Sequence, residues 1–184
     1  MKAYGWSALA AFMITITSCA TAPKTAEDKA TLEVQATATL RSMRGREPSI
    51  DHFLNRASGY VVFPEIGKAG FIAGAGYGRG ILFEHGVPTG YVELNQGSFG
   101  AQIGAQAFSE LIVLETPSQV NDIKGGDFAV SGDVSAVVLT AGAAAQADFT
   151  NGIAVFVMPK GGLMAEVSVS GQKINFQPRN PPQG

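Results

Sequence analysis

One cysteine, Cys19, stands in a chain of 184 residues, and no second thiol exists with which it could pair. No disulfide can therefore staple the chain, even in an oxidising compartment, and the fold must rest on a hydrophobic core. About 160 residues follow Cys19, enough for one domain burying roughly two-thirds of its unfolded surface. Ahead of the cysteine, Trp6 to Ile16 is an apolar stretch behind the lone positive charge of Lys2. As a helix it rises only about 16 Å, against a bilayer core of about 30 Å. It has the length of a targeting segment and not of a span, and no second apolar run approaches membrane-spanning length.

Ile16-Thr17-Ser18-Cys19 resembles the lipobox of bacterial lipoproteins, an apolar residue and two small ones before the cysteine that is acylated. The resemblance implies a signal peptide at 1–18, cleavage before Cys19, a membrane-proximal linker at 19–25 and attachment by lipid. Ala20 and Thr21 follow, with no Asp to retain the product at an inner membrane, so the expected place is the periplasmic face of the outer membrane.

The body divides by periodicity. Thr25 with Asp28 resembles a capping box, opening a helix from Ala26 to about Met43 with Leu32, Ala36, Leu40 and Met43 on one face. Ser49 is expected to cap a short second helix, stopped at Gly59. From Tyr60 the character becomes β. Strands are expected at Tyr60–Phe63, ended by Pro64, then within Ala69–Phe83, and at Thr89–Leu94 followed by a turn at Asn95-Gln96-Gly97. Phe99–Glu115 holds two segments or one bent one. Thr116-Pro117-Ser118-Gln119 offers an N-cap, a proline at the first helical position and a capping box. That helix ends at Gly125-Gly126, and β runs follow at 128–131, 134–140, 153–158, 163–169 and up to Phe176. The tail 177–184, with three prolines, is expected to be disordered. The pattern predicts a single α+β domain over 26–176: N-terminal helices packed on a mainly antiparallel sheet or partly closed barrel, with one short inserted helix.

Familiar chemistry is hard to place on it. The glycines at 74, 76, 78 and 80 miss the dinucleotide fingerprint, because Arg79 stands where the third glycine is required. Gly67-Lys68 is followed by Ala69, which breaks a phosphate loop. Two apart, Gly74, Gly76, Gly78 and Gly80 share one strand face, which serves either tight packing or the approach of a ligand such as an acyl chain. There is no Gly-x-Ser-x-Gly elbow, the histidines are His52 and His85 alone, and acids such as Glu110, Glu115 and Asp133 are scattered singly. No catalytic residue, metal site or cofactor is expected.

Net charge is −2, which argues against a dedicated nucleic-acid binder. Yet between Cys19 and Tyr60 the basic residues Lys24, Lys29, Arg41, Arg44, Arg46 and Arg56 outnumber the acids. Arg41, Arg44 and Arg46 either meet anionic headgroups or complement the helix C-terminus.

Gly59-Tyr60-Val61-Val62-Phe63-Pro64, Lys68-Ala69-Gly70-Phe71, Gly78-Arg79-Gly80, Ser98 to Ala105, Gly132-Asp133-Val134-Ser135 and Lys160-Gly161-Gly162-Leu163 together resemble the SYLF domain family, over about 120 residues. That resemblance implies binding of membrane lipids without catalysis, and lipid contact through a basic N-terminal segment. Here Asp28, Glu33 and Glu47 interrupt the basic residues of that region. Lys68 is the basic residue inside a matched block that joins Arg41, Arg44, Arg46 and Arg56, and Gly74, Gly76 and Gly78, as lipid-contact candidates. The expected partner is anionic phospholipid. Docking of an envelope protein, or carriage of one lipid in a sheet-lined cavity, are the alternatives.

Overall fold

A computed structural model describes residues 25–70, 73–99, 105–130, 132–160, 169 and 171–179. Cys19, the expected signal peptide and most of the expected linker lie outside the described residues, as do positions 163–168 of the strand expected over 163–169 and residues 180–184. The elements in chain order are α1 (Ala26–Arg46), α2 (Ile50–Arg56), β1 (Gly59–Gly70), β2 (Ala73–Glu84), β3 (Val87–Phe99) and β4 (Ala105–Leu114). Then come α3 (Pro117–Gly125), β5 (Ala136–Val138), β6 (Ile153–Pro159) and β7 (Gln172–Pro178). One sheet takes all seven strands in the order β5-β6-β4-β1-β2-β3-β7, antiparallel except for the β5–β6 pair. It stays open, with β5 and β7 at its edges. The α+β architecture with N-terminal helices is what the chain adopts.

Two cores lie on opposite faces, and strand alternation sorts residues between them. Val61, Leu82, Val92, Ile112 and Val155 pack with α3 and with Phe128, Val130 and Val134. Their sequence neighbours Val62, Ile81, Tyr91, Leu111 and Phe156 pack under α1, α2 and the 139–149 segment. Coverage on both sides explains why these strands are written as nearly unbroken apolar runs.

Local signals are obeyed where the partner is close in sequence. Thr25 accepts from the Asp28 N–H at 3.0 Å, and Thr116 and Gln119 complete their capping box. Gly126 closes α3 in the left-handed region. His85 and Gly86, both at positive φ, make the two-residue turn between β2 and β3.

Elsewhere tertiary pairing overrides them. Pro64 does not end β1; the ladders to β2 and β4 both shift register around it, and the Ser109 hydroxyl donates to its carbonyl at 2.7 Å. A bulge absorbs the missing N–H. Asn95, Gln96 and Gly97 form no turn, because β2 offers ladder partners on one side and, for Asn95 and Gln96, β7 on the other. Ser49 does not cap α2: its hydroxyl donates to Glu47. Helix α1 runs on through Gly45 to Arg46, while α2 ends at Arg56 and Gly59 opens β1. β7 continues past Phe176 to Pro178, and Arg179 closes on Glu33, so the first part of the expected tail is structured.

Candidate functional site

Of the acids that interrupt the basic N-terminal region, Asp28 stays exposed, Glu33 is partly buried and paired, and Glu47 is buried. Arg179 Nε donates to Glu33 Oε1 at 2.8 Å and its Nη2 to Oε2 at 3.1 Å, and the Tyr91 hydroxyl donates to the same carboxylate at 2.8 Å. Burial pushes the Glu33 carboxyl up, but these hydrogen bonds and the Arg179 charge outweigh it and hold the pKa below the usual carboxylate range. Glu47, 3% exposed, accepts from the Ser49 hydroxyl and from its N–H at 3.1 Å. The Ser49 hydroxyl lowers its pKa most; burial opposes this, and the backbone N–H groups of Ser49, Gly142 and Ala143 add to the lowering.

From Thr31 to Arg46 the solvent side of α1 therefore presents no acid. Val34 is 69% exposed there, beside exposed Thr37, Ala38 and Arg41. Among the described residues Arg41 and Arg46 have no ion pair, whereas Arg44 is held by Asp51 at 2.6 Å. Arg56 is also committed, to Glu115 and to the Phe149 ring at 5.0 Å. The candidate arginines are thus not one cluster: two are free to meet a partner and two hold the fold.

The candidate glycines serve packing where their surroundings are described. A Cβ on Gly78 would sit 2.6 Å from Ile66 Cγ1, and one on Gly80 2.7 Å from Phe63 Cδ1. The bulge at Pro64 presses β1 onto this face, leaving no room there for an acyl chain. Gly76 is buried, and Gly74 pairs with Gly70 and Ser98. Lys68 lies on β1 opposite Gly76 and Gln106; its side chain is outside the described part.

A cleft of about 660 Å³ opens between the middle of α1 and the bulged middle of β1–β2. Gln35 and Thr39 come from the helix, Glu65 from β1, Tyr77 and Arg79 from β2, and Lys160 from the end of β6. Lys160 Nζ pairs with Glu65 Oε2 at 2.9 Å, while exposed Arg79 has no ion pair among the described residues. Pro64, Arg79 and Lys160 stood in three separate motif blocks, and the fold brings them together. Sequence reasoning quoted Arg79 and Lys160 as motif residues but not as contacts, because nothing local shows that strands 81 positions apart share a cleft.

Glu110, one of the singly scattered acids, is fully buried, and Gln172 Nε2 donates to its Oε2 at 2.9 Å. A second pocket brings Ser49, His52 and Asp148 to one wall. Its serine hydroxyl is engaged by Glu47 and not by His52. The Glu47 clamp joins the α1–α2 corner to the 139–147 segment, and its lowered pKa makes its contribution pH-dependent. That stabilisation is present above the ordinary value of 4.5 and lost as pH falls through the folded-state value. Glu47→Gln should therefore be less stable than the parent at neutral pH, with the gap in urea midpoint shrinking below pH 4.5. A gap that stays constant with pH would show that the carboxylate charge is irrelevant.

Among the described residues no helix is long and apolar enough to cross a membrane, and no group of acids, histidines or cysteines could hold a metal ion. No curated protein matches the chain. Residues 95–180 match the family model Ysc84, described as Las17-binding protein actin regulator. The matched stretch takes in β4 to β7 and α3 and is hydrogen-bonded to β1 and β2, which carry the remaining motif blocks. Over residues 95–180 the chain is accordingly similar to the Ysc84 (SYLF) family, in line with the resemblance that its motif blocks carry.

Proposed function

We propose that the chain is a lipid-anchored protein of a bacterial envelope, held through Cys19 at the periplasmic face of the outer membrane, whose domain binds phospholipid membranes and catalyses no reaction. The family supports lipid binding at a coarse level. The observation that carries the finer reading is the outward face of α1 from Thr31 to Arg46, whose exposed positions, Val34 and Arg41 among them, carry no acid. Seven residues from Cys19 to Ala26 reach about 23 Å when extended, and Arg41 lies about 22 Å further along the helix. That tether lets α1 lie flat on the bilayer, which brings Arg41 to the surface. In that pose Val34 enters the headgroup layer and Arg41 contributes on the order of 1 kcal/mol on an anionic surface, weakening with salt.

The full chain carrying Cys19→Ser should sediment with vesicles of phosphatidylglycerol mixed with phosphatidylcholine more than with phosphatidylcholine alone. Arg41→Ala should weaken that binding about fivefold, and Val34→Glu should weaken it further. Absence from both pellets would remove the membrane reading, and an unmodified Cys19 thiol on the native protein would remove the anchor. The family description names protein binding, so docking of an envelope protein is the competing reading. A stoichiometric cross-linked partner retained without lipid would favour it.

A further inference from the structure

We infer that the cleft beside α1 is a phosphate-binding subsite, in which Arg79 and Lys160 hold the phosphate of a phospholipid headgroup. The inference deepens the membrane reading and rests on it for the source of the ligand. Arg79 offers a planar fork of donors that matches two phosphate oxygens, and Lys160 supplies a compact second charge. Gln35 and Thr39 line the opposite wall with neutral polar groups. The volume, about 660 Å³, lies within the range of about 300–1,000 Å³ typical of small-molecule sites. The helical part of the wall, Leu32 to Thr39, lies about 9 to 20 Å from Ala26, nearer the anchored end than Arg41. With α1 flat on the surface, the mouth opens along the flank of the helix at headgroup level.

The acids around the site decide how it works. Glu65 holds Lys160, and Glu65 and Glu93 are the register neighbours of Arg79 on the two adjoining strands. Neither is ion-paired with Arg79. A phosphate entering the cleft must take Lys160 from Glu65. Glu65 is a competitor of the ligand, and removing its charge should tighten binding.

That competition separates a binding role from a structural one, because Glu65→Gln and Lys160→Gln break the same ion pair. If the pair were merely structural, both variants would shift vesicle binding in the same direction. In a phosphate site they diverge. Binding of the full Cys19→Ser chain to phosphatidylglycerol-containing vesicles should fall about tenfold in Arg79→Gln and severalfold in Lys160→Gln, and rise severalfold in Glu65→Gln. A fourth variant leaves every charge in place. A Cβ at Gly67 would meet nothing within 4 Å, so Gly67→Phe fills the cleft without a clash at Cβ, and it should also lose affinity. Inorganic phosphate and glycerophosphoglycerol, titrated by calorimetry, test a free source. If they bind with this order of variants and vesicles do not, the site stands and its membrane source falls. Vesicle affinities equal across all four variants would overturn the subsite while leaving the α1 face intact. No vesicle binding by the parent, and none of either soluble probe, would overturn both.

Discussion

Gly80→Val should destabilise the domain by about 3 kcal/mol or more, at the upper end of the usual cost of overpacking a filled core. A Cβ at position 80 would lie 2.5 Å from the Val62 carbonyl oxygen and 2.7 Å from Phe63 Cδ1. Neither neighbour can retreat easily. The carbonyl belongs to β1 just before the bulge, and Phe63 is fully buried. Against a total stability of about 5–15 kcal/mol, a loss of this size lowers the melting temperature by roughly 6–12 °C. Gly67→Ala is the control on β1, because its new Cβ would meet nothing within 4 Å. Thermal and urea unfolding of the two variants should separate them clearly. A Gly80→Val melting point equal to that of Gly67→Ala would show that β1 does not press on β2 at the bulge.

Phe156→Ala is expected to cost about 3–5 kcal/mol, for a different reason. The ring is fully buried and meets Phe53 of α2 edge to face at 5.0 Å; Phe53 in turn lies 5.1 Å from Phe149. Its removal leaves a void between α2 and β6 and takes away an aromatic pair worth roughly 0.5–1.5 kcal/mol beyond its area. The damage should be directional. Amide exchange should accelerate in α2 before it does in α3, because α3 packs on the opposite core with Val120 and Ile123. Phe156→Leu should recover part of the loss. A Phe156→Ala cost under about 1 kcal/mol would mean that the 139–149 segment collapses into the space.

Function is approached through both residues, since the bulge and the α2–β6 contact set the position of α1 and the walls of its cleft. Much of this architecture was legible in the chain. The α3 capping box, the Thr25 cap and the α+β order of elements all follow from rules acting over a few residues. Strand ends were less so. Pro64 and Asn95-Gln96-Gly97 carry the composition of breaks, and they remain in strands because neighbouring strands supply partners that no local window contains.

The candidate site shows the same division more sharply. By itself the sequence determined which residues carry charge: an N-terminal region richer in Arg and Lys than the rest, and motif blocks holding Arg79 and Lys160. Only the tertiary structure decided which of those charges face solvent. Glu33 is paired and partly covered by Arg179, 146 positions away, and Arg44 and Arg56 are spent on Asp51 and Glu115. Arg79 and Lys160 become neighbours through a sheet ordered differently from the chain. Caps and turns find their hydrogen-bond partners within a few bonds, so composition encodes them. An ion pair or a cleft depends on where distant backbones come to rest, which packing of both sheet faces determines.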